Sequence, residues 1–93
     1  MINLIFEELK SFGAVRSGAD FSRNWLGMED SYWRGLRAKR REPSLKAIAR
    51  CASKLNVVAD DLQASSKPSV RAAQLRLRDL AAGCVADILR AGN

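Results

Sequence analysis

Within residues 34–54 the chain places Arg34, Arg37, Lys39, Arg40, Arg41, Lys46, Arg50 and Lys54 against a single acid, Glu42. Residues 1–33 hold three basic and five acidic groups, and residues 55–93 hold five and four. The middle stretch therefore carries more than the whole formal excess of +6. Clustered guanidinium and ammonium groups hold phosphates through charge-assisted hydrogen bonds and by displacing condensed counterions. The chemistry this pattern favours is non-covalent recognition of a polyanion, either nucleic acid or an anionic membrane surface. The chain has no histidine, which excludes His-based acid–base catalysis, a Ser-His-Asp triad and His-containing zinc sites. Cys51 and Cys84 stand far apart with no metal-ligand spacing. No cofactor, metal or catalytic cluster is expected, and so sparse a cysteine pair fits a reducing cytoplasm better than a disulfide scaffold.

Apolar spacing indicates the elements that must position these cations. At 93 residues, 47% apolar and 28% charged, the chain has material for one globular domain and one core. Ile2, Ile5, Phe6, Leu9 and Phe12 recur at helical spacing, with Gly13 as a stop. Ser17 three residues before Asp20 resembles a capping box and opens a second helix with Phe21, Trp25 and Leu26 inward, ended by Gly27. Asp30 or Ser31 caps a third helix that buries Trp33 and Leu36 and turns Ser31, Arg34, Gly35, Arg37 and Ala38 outward. Residues 39–43, ending in Pro43, read as a loop.

A fourth helix, Ser44–Leu55, is expected to bury Leu45, Ile48, Ala49, Ala52 and Leu55 and to carry Lys46, Arg50 and Lys54 on another face. Asn56 is read as its end, Asp60 and Asp61 as a brief turn with Leu62 inward, and residues 64–68 as a connector. The last helix runs from Ser69 to about Ala91. Its Val70, Ala73, Leu77, Leu80 and Cys84 follow a 3-4-3-4 spacing that drifts to Ile88, and these six are read as a homodimer interface, the alternative being that the helix folds back onto its own domain; Leu75, Val85 and Leu89 widen the apolar surface. No strand-like alternation occurs. The fold expected is all-α with five to six helices, residues 1–65 forming the main body and residues 69–91 a long C-terminal helix of the same domain. The longest apolar or glycine run, Leu80–Ala86, is far short of the roughly 20 residues that span a bilayer. Met1–Phe6 followed at once by Glu7 and Glu8 does not read as a signal peptide. A cytoplasmic protein without membrane association is expected.

Two short helices joined by a glycine-containing turn, the second basic on its outer side, have the form that enters the DNA major groove. The residues that carry this form are Leu26-Gly27-Met28, Ser31, Trp33, Leu36, Lys39-Arg40-Arg41, Pro43-Ser44-Leu45, Ile48-Ala49, Ala52, Leu55-Asn56-Val57 and Asp60-Asp61-Leu62. As an ordered set they resemble the XRE-type helix-turn-helix family, that of Cro and the lambda-like phage repressors. The interval from Gly27 to Pro43 matches the family's spacing of turn, recognition helix and "PSL" helix start. The likeness holds from Leu26 to Leu62, is weaker from Phe6 to Trp25 and is absent after Leu62. The family's small residue four before the turn glycine is Arg23 here; counting from Ser17 instead puts Ser22 there and implies one extra residue before Gly27. Glu29 stands at the family's usual Ser, Trp33 replaces a smaller aliphatic residue, and Gly35 falls where a base-reading side chain is common.

The resemblance implies a lambda-repressor-like fold in which Asp30, Ser31, Tyr32 and Arg34 read bases, Arg34 through paired hydrogen bonds to guanine. It also implies that Ser17, Arg23, Arg37, Lys39, Arg40, Arg41, Ser44 and Lys46 hold phosphates. The function expected is a sequence-specific double-stranded DNA-binding transcriptional regulator of bacterial or phage type, a repressor that occludes an inverted-repeat operator as a homodimer. The alternative is a protein-interaction module, such as an antitoxin or anti-regulator, built on the same fold.

Overall fold

Four apolar side chains on one face, Ile2, Ile5, Phe6 and Leu9, drive the first helix, α1 (Ile2–Ser11), into the core. The computed structural model describes residues 1–91, and its regular elements are all helices. Phe12, expected inward, lies at the C-cap beyond the last helical turn and is exposed; Gly13, at φ +76°, then reverses the chain. Ser17 Oγ accepts the Asp20 N–H (3.2 Å) at the start of α2 (Gly18–Asp20). The Asp20 carboxylate does not close a capping box on Ser17 but accepts from the Arg16 N–H (2.9 Å), one residue further out, and from Asn24 Nδ2. Those two bonds, the Arg16 amide first, hold its carboxyl below the ordinary range.

The α2 segment continues as a π turn, Phe21–Trp25, closed by Leu26 N–H donating to the Phe21 carbonyl (3.1 Å). A π turn holds one residue more than an α turn. It accommodates the extra residue implied by counting from Ser17, so that Ser22 is buried and Arg23 faces solvent. Ser22 Oγ donates to the Gly18 carbonyl (2.8 Å) and accepts the Trp33 N–H (2.9 Å), joining α2 to α3 (Tyr32–Lys39). Between them Gly27 takes φ +67°, and the Arg50 side chain lies about 3.2 Å from where a β-carbon would stand. Neither Asp30 nor Ser31 caps α3 with its side chain. Asp30 pairs with Arg23 and Ser31 Oγ donates to Glu29, so the helix start is held by the Tyr32 N–H on the Glu29 carbonyl (3.1 Å).

Ser44 caps α4 (Leu45–Leu62) by accepting the Ala47 N–H at Oγ (3.2 Å). This helix corrects two expectations. Asn56 does not end it and Asp60–Asp61 do not begin a separate turn, because Leu55 and Ala59 continue the buried face and α5 (Pro68–Ala91) packs along it. The buried face is also rotated: Ala47 and Cys51 lie inside, whereas Leu45 and Ala49 are exposed.

The C-terminal helix corrects a third. Leu77, Leu80 and Cys84 are 3%, 2% and 0% exposed within the chain's own core, so they are not free to face a second copy; Val70, Ala73 and Ile88 are half-buried. Cys84 meets Cys51 across the α4–α5 contact, and that contact together with burial pushes the Cys51 thiol up. Arg76 bonds Glu8 of α1 through two nitrogens (2.7 and 2.5 Å), and Arg78 bonds Asp60 of α4 (2.7 Å). Among the described residues, no helix is long and apolar enough to cross a membrane.

Two outcomes follow from these bonds. Ser22→Ala leaves the buried Trp33 N–H without an acceptor and is expected to lower unfolding free energy by about 1–3 kcal/mol in urea titrations. The Glu8 carboxyl is held below its ordinary value of 4.5, chiefly by the Arg76 hydrogen bond. Its contribution is therefore complete above that value and is lost as pH falls through the lowered one. Glu8→Gln is expected to cost about 0.5–1 kcal/mol at pH 7, and melts at successively lower pH should bring the two proteins together.

Candidate nucleic-acid interface

Trp33 determines which side of α3 meets solvent. Its ring packs 5.2 Å from Phe6 and 5.1 Å from Phe21, centroid to centroid, and Phe6 and Phe21 are themselves 5.2 Å apart. With α1, α2 and α3 pinned at this aromatic junction and Leu36 packed against it, helical periodicity turns Ser31, Arg34, Arg37 and Ala38 outward, and all four are exposed. Gly35 is half-exposed on the same helix.

The ion pairs are unevenly placed. Outside residues 34–54, four of the eight cations are paired, Arg23 with Asp30, Arg76 with Glu8 and Asp79, Arg78 with Asp60, and Arg90 with Asp87, while Lys10, Arg16, Lys67 and Arg71 form no ion pair among the described residues. Inside that segment none of the eight basic side chains has a carboxylate partner among the described residues, although Glu42 stands next to Arg41 in the chain. The positive surface is thus left uncompensated. Arg37 lies 5.9 Å above the Trp33 ring and Lys54 5.8 Å above that of Trp25, so aromatic faces, not acids, hold these two.

Of the residues expected to read bases, Arg34 is exposed and unpaired. Ser31 is exposed, with its hydroxyl donating to Glu29 at 3.3 Å. Asp30 forms an ion pair with Arg23 (3.0 Å) in which both side chains are more than half exposed, and such exposed pairs contribute little. Tyr32 differs from expectation: it is half-buried, packs on the core, and its hydroxyl accepts the Ser44 N–H (2.9 Å), which ties α3 to the start of α4.

Among the expected phosphate holders, Ser17 and Ser44 use their Oγ atoms as helix caps. Arg37, Lys39, Arg40, Arg41 and Lys46 are exposed and unpaired. The structure divides this group. Arg34 and Lys39 border one depression with Ser31, Tyr32 and Gly35, Arg37 and Arg40 border another against the start of α1, and Arg41 stands between them and borders both. Lys10 was not singled out from the sequence, yet it shares a third depression with Arg34 and Arg37. It stands 24 residues before Arg34, and no local pattern signals their approach. Among the described residues, no group of three His, Cys, Asp or Glu side chains could hold a metal.

The chain belongs to a family of unknown function, DUF6626, whose pattern matches residues 2–91. No curated protein and no solved structure matches it.

The end of α3 gives a testable consequence. Arg40 sits in the left-handed region (φ +52°) where glycine is preferred, and the Arg41 N–H returns to the Leu36 carbonyl (2.9 Å) in a Schellman-type closure. A non-glycine residue there costs about 1 kcal/mol. Arg40→Gly is expected to raise the unfolding free energy by about 0.5–1 kcal/mol in denaturant titrations, while removing one unpaired cation from the surface.

Proposed function

We propose that the chain is a sequence-specific double-stranded DNA-binding protein of helix-turn-helix type, a transcriptional regulator that acts by occluding its site. The observation that carries this reading is the row of eight unpaired cations in residues 34–54, set on and behind an exposed helix, in a chain that neutralises arginines on two of its other helical segments. Leaving so many like charges together raises the energy of the folded chain unless a polyanion binds them. The eight residues of α3 make a rod about 12 Å long, comparable with the width of the major groove.

Gly35 adds support. A glycine in a helix interior is about 1 kcal/mol worse than alanine, and a β-carbon here would meet nothing within 4 Å. Packing gives no reason for it, whereas close approach of the helix backbone to base edges does. In this reading Arg34 specifies, while Arg37, Lys39, Arg40, Arg41 and Lys46 hold phosphates. Tyr32 positions α3 against α4 instead of reading a base.

A second reading is favoured by a separate observation. Leu75 and Leu89 of α5 are 68% and 65% exposed, with Val85 exposed nearby, so the outer side of this helix presents apolar surface to a protein partner or to a second copy. The inner residues Leu77, Leu80 and Cys84 cannot serve this purpose. Leu89→Arg separates the two readings: loss of self-association or partner capture with intact duplex binding assigns that face to protein.

The DNA reading is tested by anisotropy titrations at several salt concentrations, using a duplex selected from a random pool and its scrambled counterpart. Arg34→Ala should cost roughly 1–3 kcal/mol on the selected duplex and little on the scrambled one. Arg41→Ala should weaken both alike and reduce the salt slope by about one. Equal losses for both variants on both duplexes contradict the roles assigned.

A further inference from the structure

Trp33 Nε1 is buried and its N–H has no acceptor among the described residues. An orphan donor is unusual in a folded chain and calls for a partner. The bonded carbon, Cδ1, lies 3.1 Å from where a β-carbon on Gly18 would stand, so the pyrrole edge of the indole abuts Gly18. Gly18 and Trp33 line a surface depression together with Phe6, Lys10, Arg34 and Arg37. No carboxylate lines it, and none of its three cations forms an ion pair among the described residues. The Lys10 ammonium stands 5.7 Å from the Phe6 ring and the Arg37 guanidinium 5.9 Å from the Trp33 ring, both over aromatic faces at the rim.

We infer that this depression between α1, α2 and α3 is an oxyanion site, in which Lys10, Arg34 and Arg37 surround a phosphate group and Trp33 Nε1–H donates to one of its oxygens. Arg37, exposed and resting on the indole, is the side chain that swings to admit the anion. A tetrahedral phosphate supplies what the pocket lacks: negative charge for three cations and a lone pair for a buried N–H. The phosphate can be a phosphodiester of a nucleic-acid backbone or a free phosphate. The site shares Arg34 and Arg37 with the DNA reading but does not depend on it.

The experiment is an NMR titration of the 15N-labelled full chain, following the indole N–H resonances, with Trp33 distinguished from Trp25 by a Trp25→Phe variant. One arm adds inorganic phosphate at constant ionic strength set with sodium chloride, and the other adds a 20-base-pair duplex. A saturable shift of the Trp33 indole resonance is expected, weakened on the order of fivefold by Lys10→Gln and by Arg37→Gln, both exposed positions. A shift with duplex alone identifies the phosphodiester as the source; a shift with inorganic phosphate alone identifies the free anion. The inference is overturned if neither probe moves the Trp33 indole, or if the shift is undiminished in both variants. Duplex binding that perturbs the α3 amides while neither probe moves that indole rejects the oxyanion site and spares the DNA reading. A phosphate shift without duplex binding does the reverse.

Discussion

Ser22 Oγ bonds two backbone groups that belong to different helices, the Gly18 carbonyl and the Trp33 N–H, and it does so with no exposure to water. Each bond is worth only about 1 kcal/mol net, but an unmet buried partner costs more, so the pair fixes where α3 sits relative to α2. The position of Ser22 depends in turn on the π turn at Phe21–Trp25, which rotates this residue inward and Arg23 out. The Phe6–Phe21–Trp33 junction then sets the rotation of α3 about its own axis. Both constraints act on Trp33, one through its amide and one through its ring. Every outward residue of α3 takes its direction from them.

Electrostatics follows from that placement. The long α4–α5 pair and α1 are held by apolar packing and by ion pairs that bridge elements, Glu8 to Arg76 and Asp60 to Arg78. The α3 helix and the loop behind it have cations without such partners, held over aromatic rings or left in water. Tyr32 joins the two parts by accepting the Ser44 N–H at the start of α4, so the loop bearing Arg40 and Arg41 is closed at both ends. The strained left-handed Arg40 fits the same pattern: local stability is given up where a guanidinium is presented.

Periodicity made the inward side chains of α1 to α3 legible, including Phe21, Trp25 and Trp33, since long aromatic residues at helical spacing leave little choice of face. It failed where local punctuation competed with tertiary contact. Asn56 and the Asp60–Asp61 pair look like helix boundaries, yet packing of Leu55 and Ala59 under α5 carries the helix through them. The spacing in α5 marked a covered face that includes Leu77, Leu80 and Cys84, read as a dimer interface, but spacing does not say what covers a face; here it is the chain's own core. The Ser17 cap was legible in its spacing to Asp20, whereas the use of Ser44 Oγ as a cap and the bond from Ser44 N–H to Tyr32 depend on geometry. Lys10 was invisible as a site residue because only the folded arrangement of α1 brings it to Arg34 and Arg37.

The central claim is that α3 lies in the major groove with its cations on the flanking strands. Intermolecular nuclear Overhauser contacts between the chain and a duplex recovered from a random pool test it most directly. The account predicts contacts from the Arg34 side chain and the Gly35 and Ala38 backbone to major-groove base protons. Recovery of no preferred duplex, or contacts confined to the outer face of α5, would contradict it.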